Sequence, residues 1–317
     1  MRVVNQSAHI LIPESPMKHI ERIGRICYKS GDKISDGTDK KFIKMLFDNN
    51  HHAMLEHYRF IMAVNPIIYE ELSKVGPRHV EFSNYGRYVI SCNARALLEL
   101  HEKCRCIQFG YMKSAVKGIR DELISHIIRE YNCYELFGWN RNELLPPLST
   151  GVEFIDNSRE AMSEEEWNIH GWFSACIVTD RGISHEIVRH REEVSYAQES
   201  TRYCNYGQDR FGKEITVIDQ GFDPSSIECA IWRGMMVNCE YNYFRLIKCG
   251  ATPQFARSVL PTCLKTEIVM TAPMYEWDHF FNLRLKGTTG APHPMVKEVA
   301  GMVYDDMMEV FYESNKN

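Results

Sequence analysis

Arg189, His190, Arg191 and Arg202 fall within fourteen residues of a chain whose formal net charge is −5. Guanidinium groups repel one another, so such a cluster is best accommodated around an anion. Arginine is the side chain best shaped to grip phosphate through two parallel hydrogen bonds. The segment therefore reads as a site for a phosphorylated small molecule. Glu186, Glu192, Glu193 and Glu199 are interleaved with the cations, and a solvated face of ion pairs has the same composition. Ser200 has the nucleophile's hydroxyl, but no paired base is evident beside it.

Three further blocks carry side chains capable of chemistry. His51-His52-Ala53-Met54-Leu55-Glu56-His57 holds three histidines and a carboxylate, yet the spacing matches no zinc signature, and no metal site is expected. Glu56 and His57 read as interior hydrogen-bonding groups. Arg257, in Ala256-Arg257-Ser258-Val259-Leu260-Pro261, reads as a surface ion pair when taken alone. In Glu276-Trp277-Asp278-His279-Phe280-Phe281-Asn282-Leu283-Arg284, His279 and Asn282 share a helix face, and Arg284 sits at the helix C-terminus, where a cation is favourable. His293 precedes Pro294 as a helix-entry residue.

The elements that must position these residues are read from periodicity and punctuation. Ser15-Pro16 opens a helix over 16–29, and Thr38 caps a second helix carrying Phe42, Ile43 and Leu46. Phe60, Met62 and Val64 alternate as a strand, Arg87 to Ser91 forms another, and 93–101 is helical. The stretch 144–168, with Pro146-Pro147, reads as a loop or surface excursion. Residues 172–179 form a buried strand, Asp180-Arg181-Gly182 a turn, and Ser184 caps a short helix whose one face holds Glu186, Arg189 and His190. Asp223-Pro224 starts a long helix with Ile227, Ile231 and Tyr241 that ends at Gly250. Residues 276–285 and a last helix from Pro294, with Val296, Val299, Val303, Met307 and Val310 on its apolar stripe, complete the set. Strands around 58–64, 86–91, 172–179 and 215–219 among more numerous helices give an α+β fold, with helices packed on a central, mostly antiparallel sheet.

Composition sets the broad class. The chain has 317 residues, 44% of them hydrophobic and 25% charged, which is ordinary for a soluble globular protein with a large core. No apolar run is long enough to span a bilayer and no signal-peptide pattern opens the chain, so no membrane partner is expected. The negative net charge argues against a general nucleic-acid binder. The eleven cysteines are scattered and contain no Cys-x-x-Cys pair; Cys104 and Cys106 stand too close for a zinc knuckle. Reduced thiols in a cytoplasmic compartment are expected.

The order of residues in the arginine segment resembles the signature of the flavin-dependent thymidylate synthases: Arg189-His190-Arg191, a spacer, then Ser200-Thr201-Arg202-Tyr203. The flanks Ser184-His185-Glu186, Cys204-Asn205-Tyr206 and Phe211 to Ile218 resemble the longer bacterial and viral members. The blocks at His51–His57, Ala256–Pro261 and Glu276–Arg284 follow in the family's order. The resemblance implies an FAD-dependent enzyme that converts dUMP to dTMP, with methylenetetrahydrofolate as carbon donor and NADPH as reductant, and that assembles as a homotetramer with shared sites. It implies nucleotide contacts from Glu186, Arg189, Gln198, Ser200, Arg202, Arg257 and Arg284, with Arg284 stabilising charge on the uracil ring as the catalytic group. Flavin contacts are implied for His51, Ala53, Arg189, His190, Arg191, Gln198 and His279. It also implies one catalytic domain over 1–317, within which 92–168 is a family-variable insertion.

Three departures accompany the resemblance. The spacer, Glu192 to Glu199, is eight residues, one longer than the family pattern, so Glu192 or Glu193 reads as an insertion. Ala53 stands where a hydroxyl residue is usual. Pro273-Met274-Tyr275 stands where the family commonly carries an Asn-x-Arg triplet that helps bind flavin. These changes leave room for a hydroxymethylase acting on pyrimidine nucleotides on the same scaffold, or for a non-catalytic nucleotide-binding paralogue.

Overall fold

Residues 172–180 are apolar or small at nearly every position, the pattern of a strand covered on both faces, and only Val178 among them is not buried. The computed structural model describes residues 1–100, 110–143, 151–208 and 212–313. The strands are β1 (Arg2–Val4), β2 (Ser7–Leu11), β3 (Arg59–Val64), β4 (Val80–Asn84), β5 (Tyr88–Asn93), β6 (Val152–Phe154), β7 (Trp172–Asp180), β8 (Ser195–Gln198), β9 (Thr216–Ile218) and β10 (Lys265–Pro273). The helices are α1 (Pro16–Cys27), α2 (Thr38–Asp48), α3 (Pro66–Val75), α4 (Ala94–Glu99), α5 (Gly110–Tyr131), α6 (Tyr134–Phe137), α7 (Glu164–His170), α8 (Arg181–Ile187), α9 (Ile227–Lys248), α10 (Pro253–Ala256), α11 (Met274–Arg284) and α12 (Pro294–Met308). His101, Cys104, Cys106, Pro146, Pro147 and Phe211 lie outside the described residues.

The α+β class with antiparallel sheets is observed, and the strands divide into two four-stranded sheets. The first has the order β2-β7-β10-β8 and the second β4-β5-β3-β6, both antiparallel throughout, while β1 and β9 form a parallel pair. One face of the first sheet packs on α11 and α12, burying Phe173, Trp277, Phe280, Val296, Val299 and Val303, with Phe173 and Trp277 stacked at 4.3 Å. The second sheet packs Phe60, Met62 and Ile90 against Leu97 of α4 and Leu123 and Ile127 of α5. Its other face offers Ile61 and Val89 to the core of the first sheet. Both faces of β3 are therefore covered, which is why Arg59 and Ile61 are buried along with Phe60, Met62 and Val64. No helix among the described residues is long and apolar enough to cross a membrane.

Polar groups of the first sheet and the two histidines packed on it form a hydrogen-bonded chain, which leaves His19 Nδ1 and His57 Nε2 without a partner among the described residues. His19 Nε2 meets Ser174 Oγ at 3.0 Å, Ser174 Oγ meets Thr271 Oγ1 at 2.7 Å, and Thr271 Oγ1 meets His57 Nδ1 at 2.7 Å. Burial holds His19 neutral, its pKa lowered to about 3, and His57 likewise, lowered to about 4.

Several expectations are corrected. The stretch 144–168 is not simply a loop: β6 and the start of α7 lie in it, and Ser163 and Glu166 form a reciprocal capping box. Thr38 is inside α2 and Gly37 holds the cap position. There is no turn at Asp180–Gly182, because Asp180 itself caps α8, its Oδ1 accepting from Ile183 N at 2.7 Å. Ser184 lies within α8 and donates to Arg181 O. Helix α9 begins at Ile227, capped by Ser226, and not at Asp223. Ile227, Ile231 and Tyr241 are 70%, 62% and 58% exposed, so they face outward and not into the core.

Candidate functional site

The chain leaves α8 at Ile187 and turns sharply, so Arg189 and His190 lie beyond the helix and do not share a helical face with Glu186. The turn is held by the Tyr196 hydroxyl, 2.8 Å from Ile187 O and 2.9 Å from His190 O. Glu186 and His190 nevertheless meet, on the guanidinium of Arg284 at the end of α11. Arg284 donates from Nη1 to Glu186 Oε2, from Nη2 to Glu186 O and from Nε to His190 Nε2, each at 3.1 Å. His190 is buried, with its ring 5.1 Å from Phe280 and 5.6 Å from His279. Burial first, then the Arg284 and His279 charges, lower its pKa to about 4. A neutral His190 can accept from Arg284 at Nε2, which leaves its proton on Nδ1. An arginine has five N–H donors. Three are committed here, so two remain for a ligand.

A second group forms where β8 ends. Glu199 is 1% exposed; it pairs with Lys29 at 3.2 Å and Lys265 at 3.5 Å and accepts from Tyr206 Oη at 3.0 Å. This buried carboxylate fixes its neighbours. Gln198 Nε2 donates to Ser184 Oγ at 2.8 Å and Thr266 Oγ1 at 3.2 Å, and Ser200 N donates to Cys27 O at 3.0 Å. Arg257 Nη1 donates to Thr201 Oγ1 at 3.2 Å, and the Tyr203 ring lies 5.6 Å from that of Tyr28. Beside them is a cavity of about 370 Å³ lined by Cys27, Tyr28, Leu46, Asn50, His51, His52, Ala53, Met54, Arg95 and Glu99. The buried Nε2 of His52 has no hydrogen-bond partner among the described residues.

The distribution of charge separates the arginines. Among the described residues, no carboxylate pairs with Arg189, Arg191, Arg202 or Arg257, and all four are exposed. Arg257 thus makes a hydrogen bond and not the surface ion pair that its sequence suggests. His51, Ala53 and His279 are exposed as well. Glu56 and His57 are interior partners: Glu56 takes hydrogen bonds from Arg95 and Ser195, and His57 meets Thr271. His293 accepts from Met295 N as a helix-entry residue.

One chain therefore brings Glu186, His190, His279 and Arg284 together, and separately Gln198, Ser200, Arg202, Arg257 and the His51–Ala53 turn. No hydrogen bond, ion pair or ring contact among the described residues joins Arg284 to Ser200, Arg202 or Arg257. The triplet Pro273-Met274-Tyr275 lines neither group. Pro273 ends the β10–β7 ladder opposite Trp172, and Met274 N donates to Gly171 O at 2.8 Å. Sequence reasoning missed the cavity residues Cys27, Tyr28, Asn50 and Arg95, which carry no motif of their own. It read Glu199 as one of several solvated acids, and its lysine partners are too distant in sequence to have signalled otherwise.

The chain matches the family described as thymidylate synthase complementing protein over residues 154–311, about half its length. A flavin-dependent thymidylate synthase from Geobacter sulfurreducens is 34% identical over 104 residues, 33% of this chain and 43% of that protein. The enzyme of the same name from Sulfurisphaera tokodaii is 35% identical over 154 residues, 47% of this chain and 55% of that protein. The chain thus spans about half the length of the relatives it matches. A solved UMP/dUMP methylase, PolB from Streptomyces cacaoi bound with 5-Br dUMP, is 12% identical, with 98% of this chain and 93% of that one covered at a TM-score of 0.41. The matched span holds the arginine segment together with Arg257, His279 and Arg284, and the chain belongs to the family of flavin-dependent thymidylate synthases.

Proposed function

We propose that this chain methylates dUMP at C5 of the uracil ring to give dTMP, with FAD as cofactor, methylenetetrahydrofolate as carbon donor and NADPH as reductant. The observation that carries the reading is the set of exposed guanidiniums without carboxylate partners among the described residues, Arg189, Arg191, Arg202 and Arg257, on a chain of net charge −5. An anionic ligand supplies what these cations lack. The residues present also fit a flavin: the cavity at His51–Met54 sets Tyr28, Leu46 and Met54 beside the polar Asn50, Arg95 and Glu99 and adjoins Ser200–Tyr203, and the buried His52 Nε2 has no partner among the described residues. Bound there, the reduced flavin would relay the one-carbon unit and supply hydride.

The chain's own contribution is binding, orientation and polarisation. Arg284, seated by Glu186 and His190, would direct its two remaining donors at the uracil O2 and N3 edge. That draws electron density from the ring's carbonyl system and stabilises the charge that builds as C5 becomes a nucleophile. Arg202, Arg257 and Ser200 would hold the nucleotide phosphate, with Arg189 and Gln198 beside them and Glu186 acting through Arg284. His51, the backbone at Ala53, Arg191 and His279 would contact the flavin, with His190 behind His279. No cysteine nucleophile is needed.

The separation of the two groups within one chain is consistent with sites completed by other copies in a homotetramer. Ile227, Ile231, Met235, Val237 and Tyr241 of α9, all more than half exposed, provide apolar surface for such assembly. Residues 92–168 would be the variable insertion of a single catalytic unit, with its last part, 154–168, inside the family match. The free thiols of the described cysteines suit a cytoplasmic setting.

The test is a visible absorption spectrum of the purified chain, followed by dUMP and methylenetetrahydrofolate under reducing conditions. A flavin spectrum with dTMP by mass is the expected result. Flavin with a product of different mass would point to hydroxymethyl transfer, and no flavin even after addition of FAD would sink the reading.

A further inference from the structure

The extra length of the motif spacer has a definite place in the fold. Glu193 has a left-handed backbone, φ 49°, which disfavours any residue with a Cβ. Its side chain holds it there. Both carboxylate oxygens lie 3.0 Å from His79 Nδ1, and one lies 3.9 Å from Nη1 of Arg59 on β3. His79 is itself left-handed, φ 61°. Two strained backbone positions, more than a hundred residues apart in sequence, thus face each other across one ion pair.

Behind that pair the contacts are fixed. Arg59 Nη2 is bound to Glu81 of β4, whose Oε2 also accepts from Ser91 Oγ at 3.0 Å. Ser91 Oγ in turn meets His170 Nδ1 at 2.8 Å. Tyr275 faces the same cluster: burial, then the Glu81 and Glu193 charges, push its phenol well above the ordinary range. Two departures from the family pattern, the longer spacer and Tyr275, therefore converge on Arg59.

We propose that Glu193 is a positioning residue that pins the Arg189–Arg191 loop to the second sheet through His79 and Arg59, so that both guanidiniums are held ready for the anionic ligand. The inference rests on the function proposed above. An ordinary structural ion pair is the competing account. His79 is half exposed, and exposed pairs contribute little to global stability. The same small energy is large for the equilibrium of a single loop. The pin should therefore affect ligand binding while leaving unfolding unchanged, and a residue serving the fold would do the reverse.

The experiment titrates the full chain with FAD, by flavin fluorescence, and with dUMP, by calorimetry, for wild type, Glu193→Ala, Glu193→Gly, His79→Gln and the double variant Glu193→Ala/His79→Gln. Both Glu193 variants should weaken binding about fivefold, the equilibrium worth of one partly exposed pair, with the melting temperature within about 2 °C of wild type. His79→Gln should have a similar effect alone and none in the Glu193→Ala background. Binding by Glu193→Gly as tight as wild type would show that only the turn matters and overturn the proposal. Additive effects, or a loss of affinity that tracks a loss of stability, would overturn it too. Hydrogen exchange at residues 189–194 in the free protein tests the pin without any ligand. Faster exchange in Glu193→Ala supports it and unchanged exchange overturns it, even if wild type binds neither FAD nor dUMP and the functional reading falls.

Discussion

Arg59 and Arg284 are built from the same parts and serve different ends. Each guanidinium is held by a glutamate and stands near a buried neutral histidine, His170 and His190 respectively, each lowered to about 4 by burial and the nearby arginine. The Arg59 and Glu81 side chains are 3% and 10% exposed, and Glu193 and Tyr275 close the remaining side. The Arg284 and Glu186 side chains are 17% and 30% exposed, and two N–H donors stay open. Desolvation makes the first pair a matter of folding, because a lone charge left in that place has no solvent. Access leaves the second open to the chemistry proposed for it, because a cation can act only on what reaches it.

The comparison breaks first at Arg59. Arg59→Ala strands Glu81, already pushed up by burial and by its neighbour Glu193, and should cost about 3–5 kcal/mol in urea unfolding. Combining Arg59→Met with Glu81→Leu should cost less than either single change, since the uncompensated charge is then gone; equal or greater loss would show that Arg59 matters for more than charge pairing. Arg284→Ala should do the opposite. Stability should shift by about 1 kcal/mol or less, since Glu186 regains water. Product formation should fall about 10²–10³-fold with the flavin spectrum retained. Unchanged turnover would remove Arg284 from the mechanism.

Acid tests the two histidines together. The unfolded chain takes up a proton at each near pH 6.5, while the folded chain resists until about 4. Their contribution to stability is therefore complete above pH 6.5, falls as the pH drops toward 4, and levels below that. For His170, fully buried between Ser83 Oγ and Ser91 Oγ at 2.8 Å each, the total is about 3 kcal/mol. His170→Gln should flatten the slope of stability against pH by about 1.4 kcal/mol per unit in that window. At the second site the same acid places an imidazolium against Arg284 Nε, so turnover should fall before the fold does.

The helices and strands legible in the sequence were those with local causes. Val296, Val299, Val303 and Met307 lie on one stripe behind a Pro294 start, and all four are buried in α12. The apolar run at β7 signals its own burial. β10, the partner of β7 over nine residue pairs, begins Lys-Thr-Glu, and its apolar run is the short Ile268-Val269-Met270 before Thr271, a weaker signal than that of β7. β2 and β8 are short and owe their existence to the same sheet. The candidate site follows the same rule. Motif order named the candidate arginines and histidines, but the meeting of Glu186 with Arg284, 98 residues apart, was not readable from it. Nor could sequence tell the buried Glu199 from the exposed Glu192, since burial is decided by Lys29 and Lys265 arriving from elsewhere.

The smallest expected effect lies in the stretch that sequence alone reads as a loop. Helix α7 carries both Glu166, which takes two hydrogen bonds from Arg87, and His170, which stands behind Arg59. Its first turn depends on Ser163, whose Oγ accepts from Glu166 N at 3.2 Å while Glu166 Oε2 accepts from Ser163 N at 3.0 Å. Ser163→Ala should cost about 1 kcal/mol. Helix α7 backs the buried arginine and also packs on α11, where Met274 N at the start of that helix donates to Gly171 O, at the opposite end from Arg284. The loss should therefore appear in urea unfolding and in faster amide exchange at 164–170, with FAD affinity unchanged. A loss of affinity comparable to the loss of stability would mean that the two arginine sites are mechanically coupled, and the division between a folding pair and a chemical pair would have to be redrawn.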